Sequence, residues 1–147
     1  MIEIIPMMPC HTARIAELEK LCFSSPWSEK SISEELQNPL SLWLVAVEGT
    51  QTAGYIGSQT VMGETDMMNV AVDPEFRRRG IGRMLISELI ERLRAAGSHC
   101  LTLEVRSSNE PAIALYRTLG FAQIGKRPGY YRNPREDALI LRKEWEI

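Results

Sequence analysis

The stretch NVAVDPEFRRRGIGRML, residues 69–85, changes its hydrophobic pattern halfway and thereby predicts a strand, a tight turn and a helix. The apolar run MMNVAV, residues 67–72, is typical of a strand, and Pro74 ends it because proline cannot donate to a β-ladder. After the turn, six apolar residues recur at helical spacing: Ile81, Leu85, Ile86, Leu89, Ile90 and Leu93. Gly97 lies where this helix is expected to end.

Two more helices are predicted before this stretch. Residues 12–23 predict a helix with four residues on its buried face: Ile15, Leu18, Leu21 and Cys22. Residues 28–38 predict a second helix, in which Ser31 and Glu34 have the spacing of a capping box. Glu34, Glu35 and Asp137 are interpreted as ordinary solvated charges.

The remaining patterns predict the fold class. Five further segments are interpreted as strands: residues 2–5, 41–49, 52–62, 100–106 and 137–143. The second and third of these are predicted to form a hairpin, and residues 109–121 a last helix. A helix between the strands at 67–72 and 100–106 indicates a parallel crossover in an otherwise antiparallel sheet. The expected class is α+β, often filed under α/β, and with no linker or repeat in view residues 1–147 are expected to form a single domain.

Composition and charge limit the classes of function that are expected for this chain. The net charge of −2 disfavours a nucleic-acid binder, so the cluster Arg77, Arg78, Arg79 and Arg83 fits a compact anion better than a long phosphate backbone. No apolar stretch is long enough for a membrane span, which favours a soluble cytoplasmic protein without a membrane partner. The three cysteines lack metal or disulfide spacing, so reduced thiols and no metal are expected.

The turn at residues 77–82 has the features of a phosphate site. Glycines at 80 and 82 permit close backbone approach, and the first amides of a helix attract anions. A basic, exposed helix start without a ligand is the alternative. A Walker loop is excluded because no Gly-Lys-Ser/Thr follows, and a dinucleotide fingerprint is weakened because Leu85 stands where its third glycine belongs.

Four ordered segments carry a resemblance to a known family. Residues 23–31 (FSSPWSEKS), 69–85, 103–121 (LEVRSSNEPAIALYRTLGF) and 130–141 (YYRNPREDALIL) resemble GCN5-related N-acetyltransferases of the bacterial RimI type. Those enzymes acetylate the N-terminal alanine of a small ribosomal subunit protein. The resemblance implies a mixed, mostly antiparallel sheet of about seven strands with about four helices.

The same resemblance implies acetyl-CoA as co-substrate. Its expected contacts are Val70, Ala71, Val72, Arg78, Arg79, Gly80, Ile81, Gly82, Arg83 and Asn109. A bulge in the strand before the turn is expected to splay it from the next strand, so that the pantetheine arm lies in the wedge. From the residues alone, Asn109 also fits a helix N-cap ahead of Glu110 and Pro111, and the two roles are compatible.

Two residues are candidates for proton transfer. In CLTLEVR, Glu104 alternates with apolar residues and fits either a cleft carboxylate or an ion pair, and the resemblance implies the general base. Tyr116 fits helix packing, and the resemblance implies the residue that protonates the departing thiolate. A peptide α-amine has a pKa of ~7.7–8.0 and a lysine amine ~10.4, which slightly favours an N-terminal amine for a lone carboxylate.

The acceptor is expected beside the aromatic loops. Trp27, Tyr130 and Tyr131 fit either a peptide groove or half-buried anchors, and the resemblance implies substrate binding. The expected partner is the N-terminus of a ribosomal protein, with no direct nucleic-acid contact. The alternatives are a relative that acetylates small amines or lysine side chains, and a non-catalytic module that senses acyl-CoA or binds nucleic acid.

Overall fold

The computed structural model describes residues 1–146, which form a seven-stranded sheet between two layers of helices. The strands are β1 Glu3–Pro6, β2 Ser41–Glu48, β3 Gln51–Val61, β4 Glu64–Val72, β5 Cys100–Arg106, β6 Ala122–Tyr131 and β7 Glu136–Glu144. The helices are α1 Thr12–Cys22, α2 Glu29–Glu35, α3 Ile81–Ala95 and α4 Glu110–Thr118. The strand order is β1-β2-β3-β4-β5-β7-β6, and only β4 and β5 run parallel. The predicted mixed fold class is confirmed.

Each face of the sheet carries its own hydrophobic core. On one face, α3 and α4 pack against apolar residues of the strands such as Leu44, Leu101 and Leu103. On the other face, α1 and α2 pack around Trp43 and Tyr55. No helix within residues 1–146 combines the length and hydropathy that a bilayer crossing requires.

The helix that follows the arginine turn has the predicted buried face. All six periodic residues are buried: Ile81, Leu85, Ile86, Leu89, Ile90 and Leu93. Gly97 follows the helix with a φ of 93°. Because a large apolar side chain truncated in such a core destabilises a protein by about 2–5 kcal/mol, this face holds α3 firmly against the sheet.

Strands β4 and β5 pair along only part of their length. Their parallel ladder runs from Glu64 opposite Cys100 to Asp66 opposite Thr102 and then stops. A bulge lies at the same height, because Met67 pairs with Ser58 whereas Asn69 pairs with Gly57. The extra residue increases the local twist of β4. The two strands therefore diverge beyond this point and leave a wedge between residues 67–72 and 103–106.

The first helix is rotated relative to the prediction. Leu21 is 64% exposed, so its assignment to the buried face is wrong. Glu19 is instead fully buried, together with Ile15 and Leu18. A carboxylate is tolerated in this buried stripe because polar groups of the sheet donate hydrogen bonds to it. Hydrophobic periodicity does not reveal such donors.

Two details of the second helix also differ from the prediction. Its N-cap is Ser28, whose hydroxyl accepts from the Ser31 amide at 3.1 Å, so the predicted box at Ser31 and Glu34 is wrong. Glu35 is buried, and its carboxylate accepts hydrogen bonds from the hydroxyl of Ser41 and from the indole of Trp43. It is therefore not a solvated charge.

The segment before the closing strand is more regular than the sequence suggested. Residues 126–131, which no predicted strand included, belong to β6, the outermost strand beside β7. The β6 strand is mostly exposed and has irregular register between Arg127 and Tyr131. An exposed edge strand interrupted by Pro128 and Gly129 carries little alternation, which hides it from sequence analysis.

Candidate active site

The turn between β4 and α3 leaves backbone amides without partners. Gly80 is the N-cap of α3 with a φ of 73°, and its carbonyl accepts the first helical bond, from the Met84 amide at 3.1 Å. The amides of residues 81–83 therefore lack acceptors within the helix. Together with the positive end of the helix dipole, they form a site suited to a diphosphate.

The arginines of this turn have separate surroundings. Arg79 pairs with Glu48 at 2.5 Å and lies over the ring of Phe76, so its side chain is directed to the β2–β3 hairpin. Arg83 donates to the Thr118 hydroxyl at 2.8 Å and links α3 to α4. Arg78 has a φ of 65°, which costs a non-glycine residue about 1–2 kcal/mol. Strained backbone of this kind is concentrated at ligand sites.

Unpaired strand groups line the wedge. The Asp73 amide donates to the Ala53 carbonyl at 2.8 Å, so by alternation the backbone of Ala71 faces β3 and that of Val70 and Val72 faces the gap toward β5. The pantetheine arm of acetyl-CoA contains amide groups that can form hydrogen bonds with these unpaired strand groups. The wedge also opens at one end onto the amides at the start of α3, where the diphosphate of the same molecule would lie. Val70 and Val72 therefore fit the co-substrate that the resemblance implied, whereas the backbone of Ala71 is directed to β3.

Glu104 lies on the wedge side of β5. The strand buries Leu101, Leu103 and Val105 and leaves the Glu104 side chain 29% exposed, as the alternation predicted. Its carboxylate is 3.7 Å from the Arg127 guanidinium, so a loose ion pair is present. Burial, with a smaller contribution from the negative charge of Glu104, raises the pKa of Asp66.

Tyr116 is buried on α4 and its hydroxyl is not enclosed. Its ring meets the ring of Phe121 edge-on at 5.6 Å. Within residues 1–146 the hydroxyl has no hydrogen-bond partner, yet every fully buried side-chain polar atom of the described chain has one. The hydroxyl oxygen therefore retains some exposed surface, although Tyr116 as a whole is only 5% exposed. Burial, with a smaller contribution from Tyr131, raises the pKa of Tyr116.

A cavity of about 470 Å³ lies on the α1 side of the sheet, next to the bulge. We call it the acceptor cavity, and its lining residues are Cys22, Phe23, Ser24, Ser25, Trp27, Met68, Asn69, Arg106, Tyr130, Tyr131 and Arg132. The three predicted substrate residues, Trp27, Tyr130 and Tyr131, thus come from two distant parts of the sequence and line one cavity.

The aromatic residues connect this cavity to Glu104. Trp27 packs edge-on against Trp43 at 5.4 Å, and the rings of Tyr130 and Tyr131 meet edge-on at 5.1 Å. A hydrogen bond to the Glu104 carboxylate, burial and the charge of that carboxylate together raise the pKa of Tyr130. Burial and the Glu104 charge also raise the pKa of Tyr131 to about 12. Both phenols therefore stay neutral near pH 7.

Beneath the acceptor cavity lies a carboxylate that sequence reasoning missed. Glu19 accepts hydrogen bonds from the Trp27 amide at 2.9 Å, from the Asn69 side chain and from the Tyr55 hydroxyl. It thereby fixes the loop after α1 to the bulge of β4. The sequence does contain one sign of this buried carboxylate: Glu19 follows Ile15 by one helical turn and lies in the same apolar stripe as Leu18.

Asn109 caps the N-terminus of α4. Its side-chain oxygen accepts from the Ala112 amide at 3.3 Å at the start of α4. Asn109 is exposed, so a contact with the co-substrate stays a prediction. Within residues 1–146, no three His, Cys, Asp or Glu side chains group as ligands for a metal ion.

Comparison with known proteins identifies the family. Residues 12–121 match the model of the acetyltransferase (GNAT) family. The chain belongs to this family. It is 41% identical over 128 residues to the ribosomal protein bS18 alanine N-acetyltransferase of Salmonella typhimurium, covering 85% of each chain. It is also 39% identical over 144 residues to an uncharacterized Mycobacterium leprae protein, ML0378, of whose length it spans 39%.

Solved structures agree with this membership. The crystal structure of the Escherichia coli ribosomal-protein-S18-alanine N-acetyltransferase superposes with a TM-score of 0.92 at 34% identity, covering 100% of this chain and 96% of that one. Arabidopsis thaliana NAA60, solved in complex with acetyl-CoA, has a TM-score of 0.90 at 17% identity over 98% of both chains and shows the shared fold. The predicted GNAT membership is confirmed.

Proposed function

We propose that this protein transfers the acetyl group of acetyl-CoA to the N-terminal α-amine of a protein, with the alanine of ribosomal protein bS18 as its substrate. The observation that carries the proposal is the wedge between β4 and β5, which borders Glu104 and adjoins the acceptor cavity. The substrate is inferred from relatives at about 40% identity that are named for this reaction. Residues 1–147 act as one acetyltransferase domain, in the cytoplasm.

Acetyl-CoA supplies the acetyl group as an activated thioester. The residues that would hold it are the backbone groups of Val70 and Val72, which face the gap, and the turn Arg78–Arg83, with Asn109 near the start of α4. The amides at the start of α3 bind the diphosphate, and no side-chain charge is required for that contact. This accounts for the direction of Arg79 toward Glu48 rather than toward the turn.

Glu104 receives the proton of the acceptor amine. An N-terminal α-amine has a pKa of ~7.7–8.0, so part of the acceptor is already neutral near pH 7. A carboxylate within reach of the remaining ammonium form, directly or through a water, then suffices as general base.

Tyr116 stabilises the departing thiolate as a hydrogen-bond donor. Because burial raises its pKa above that of an ordinary phenol, the hydroxyl keeps its proton throughout the working pH range. The same shift makes complete transfer to a thiolate less favourable. Donation of a hydrogen bond to the developing charge is therefore its main contribution.

The test is acetylation of a synthetic peptide that carries the bS18 N-terminus. Release of CoA and mass spectrometry of the product report transfer to the α-amine. Comparison arms are the same peptide with a blocked N-terminus and an internal lysine, and a polyamine. The alanine peptide is expected to have the highest kcat/KM. A higher value for lysine or for the polyamine would overturn the assigned substrate, and binding of CoA without transfer to any acceptor would favour the non-catalytic alternative.

A further inference from the structure

The side chain of Arg106 connects the two loops that border the acceptor cavity. It lies at the end of β5, two residues beyond Glu104 on the same face, with its side chain 25% exposed. Its Nη2 donates to the Ser24 hydroxyl at 3.1 Å and to the Arg132 carbonyl at 3.2 Å. Its Nη1 donates to the Pro134 carbonyl at 3.0 Å. One guanidinium thus bonds to the loop after α1 and to the loop between β6 and β7.

Charge and stacking fix the orientation of this guanidinium. Glu136 lies 3.3 Å from Nη1, and the guanidinium carbon is 4.5 Å from the centre of the Tyr131 ring. Glu136 in turn accepts from the Ser108 amide at 2.6 Å. A planar fork that donates to three loop oxygens, pairs with a carboxylate and stacks on a ring is specific to arginine, since a lysine ammonium lacks the plane.

Glu19 fixes the loop after α1 at Trp27, whereas the connection between the two loops runs through Arg106 and Ser24. Neither residues 23–28 nor residues 132–135 belong to a helix or strand. Ser24 links them directly, because its hydroxyl donates to the Arg132 carbonyl at 3.1 Å. The cavity is bordered by Trp27 on one loop and by Tyr131 beside the other. The distance between the two loops therefore depends on the bonds around Arg106.

We infer that Arg106 is a positioning residue that holds these two loops at the separation an acceptor peptide requires. It contacts neither residues 70–72 nor the start of α3. It therefore determines affinity for the acceptor and leaves affinity for acetyl-CoA unchanged. The expected effect on the KM for the peptide rests on the proposed function. The expected effect on the two loops does not depend on any reaction.

The experiment compares Arg106→Gln with Arg92→Gln as a matched control. Arg92 is also half-exposed and paired with a carboxylate, Glu88, but it lies on α3 away from both loops. Arg106→Gln is expected to raise the KM for the peptide about tenfold, with kcat and the KM for acetyl-CoA within about twofold of wild type. Ser24→Ala removes the direct link and the bond from Arg106 to the loop after α1, but keeps the guanidinium's bonds to the loop between β6 and β7. It is expected to raise the peptide KM by about twofold to threefold.

Hydrogen exchange on the free protein supplies a second readout. Arg106→Gln is expected to accelerate exchange about tenfold at the amides of residues 23–28 and 132–135, with α3 unchanged. Unchanged exchange in both loops, or an equal rise of both KM values, would overturn the inference. If wild-type protein acetylates no peptide, the proposed function fails, whereas the exchange comparison still decides the role of Arg106.

Discussion

Both carboxylate oxygens of Glu19 accept hydrogen bonds from the side-chain amide of Asn69, at 2.9 and 3.1 Å. The two residues are fifty positions apart in the sequence, one on α1 and the other beside the bulge of β4. The contact fixes the bulge to α1. A buried carboxylate with several donors is a network in which loss of one member leaves the others unsatisfied.

Glu19→Ala is expected to lower the free energy of unfolding by about 3 kcal/mol, because the donors of Tyr55, Asn69 and Trp27 lose their acceptor. Urea denaturation followed by circular dichroism measures this. Glu17→Ala, an exposed position on the same helix, is the control and should change stability by less than about 0.5 kcal/mol. Similar losses for both variants would contradict a structural role for the buried network.

Gly80→Ala is expected to weaken CoA binding by about tenfold or more, because a side chain disfavours the positive φ that orients the first amides of α3. Gly97→Ala is its matched control at the other end of the same helix. Both glycines have positive φ, and an added Cβ would meet nothing within 4 Å at either position.

The two glycine variants should therefore lose similar stability, about 1 kcal/mol each, while only the first loses CoA affinity. Isothermal titration calorimetry with CoA and thermal denaturation separate the two effects. Equal CoA affinity in both variants would argue against the diphosphate site at the start of α3.

Glu104→Gln is expected to lower kcat about a hundredfold below pH 8, where most of the acceptor amine still carries its proton. The loss should shrink as the pH rises toward 9, because the amine then loses its proton to solvent. Initial rates between pH 6 and 9, with saturating acetyl-CoA and peptide, measure the trend. A kcat equal to wild type over this whole range would remove Glu104 from the mechanism.

Tyr116→Phe is expected to lower kcat about tenfold to a hundredfold with little loss of stability. Within residues 1–146 the hydroxyl has no protein partner, so its removal breaks no hydrogen bond of the folded state, and the ring contact with Phe121 is retained. Steady-state kinetics and thermal denaturation of the same preparation test both parts. Full activity would show that the hydroxyl does not assist the leaving thiolate.

Glu35 is expected to make folding stability sensitive to acid. Burial opposes its charge, but hydrogen bonds from Gln59, Ser41 and Trp43 outweigh it and hold the pKa of Glu35 below its ordinary value of 4.5. A lowered pKa in the folded state contributes stability that is fully present above 4.5 and is lost as the pH falls toward the folded value.

The matching experiment is urea denaturation of wild type and Glu35→Gln at several pH values. The stability difference between them is expected to be about 1–2 kcal/mol at pH 7 and to shrink as the pH falls below about 4.5. A difference that stays constant down to acid pH would show that the charge of Glu35 does not contribute.

Local patterns were sufficient for most of the fold. The period of α3, the alternation in β5 and the strand-turn-helix at residues 69–85 follow from neighbouring residues, and each was predicted correctly. The errors have two origins. The exposure of Leu21 and the strand β6 depend on which neighbours are present in space, and the sequence does not show those neighbours. The cap at Ser28 is a local contact with Ser31, but Ser31 and Glu34 have the same spacing as a capping box and were chosen instead.

The sequence by itself predicted the turn that carries Gly80, because residue spacing and side-chain chemistry are local properties. It made Glu104 and Tyr116 candidates through the resemblance of the segments around them to a known family. Only the tertiary structure decided what surrounds them. The wedge arises from a bulge that ends the β4–β5 ladder. The acceptor cavity is formed by loops that Glu19 and Arg106 hold in place. Those contacts join residues that are from eight to 82 positions apart, and it is folding that brings such groups together.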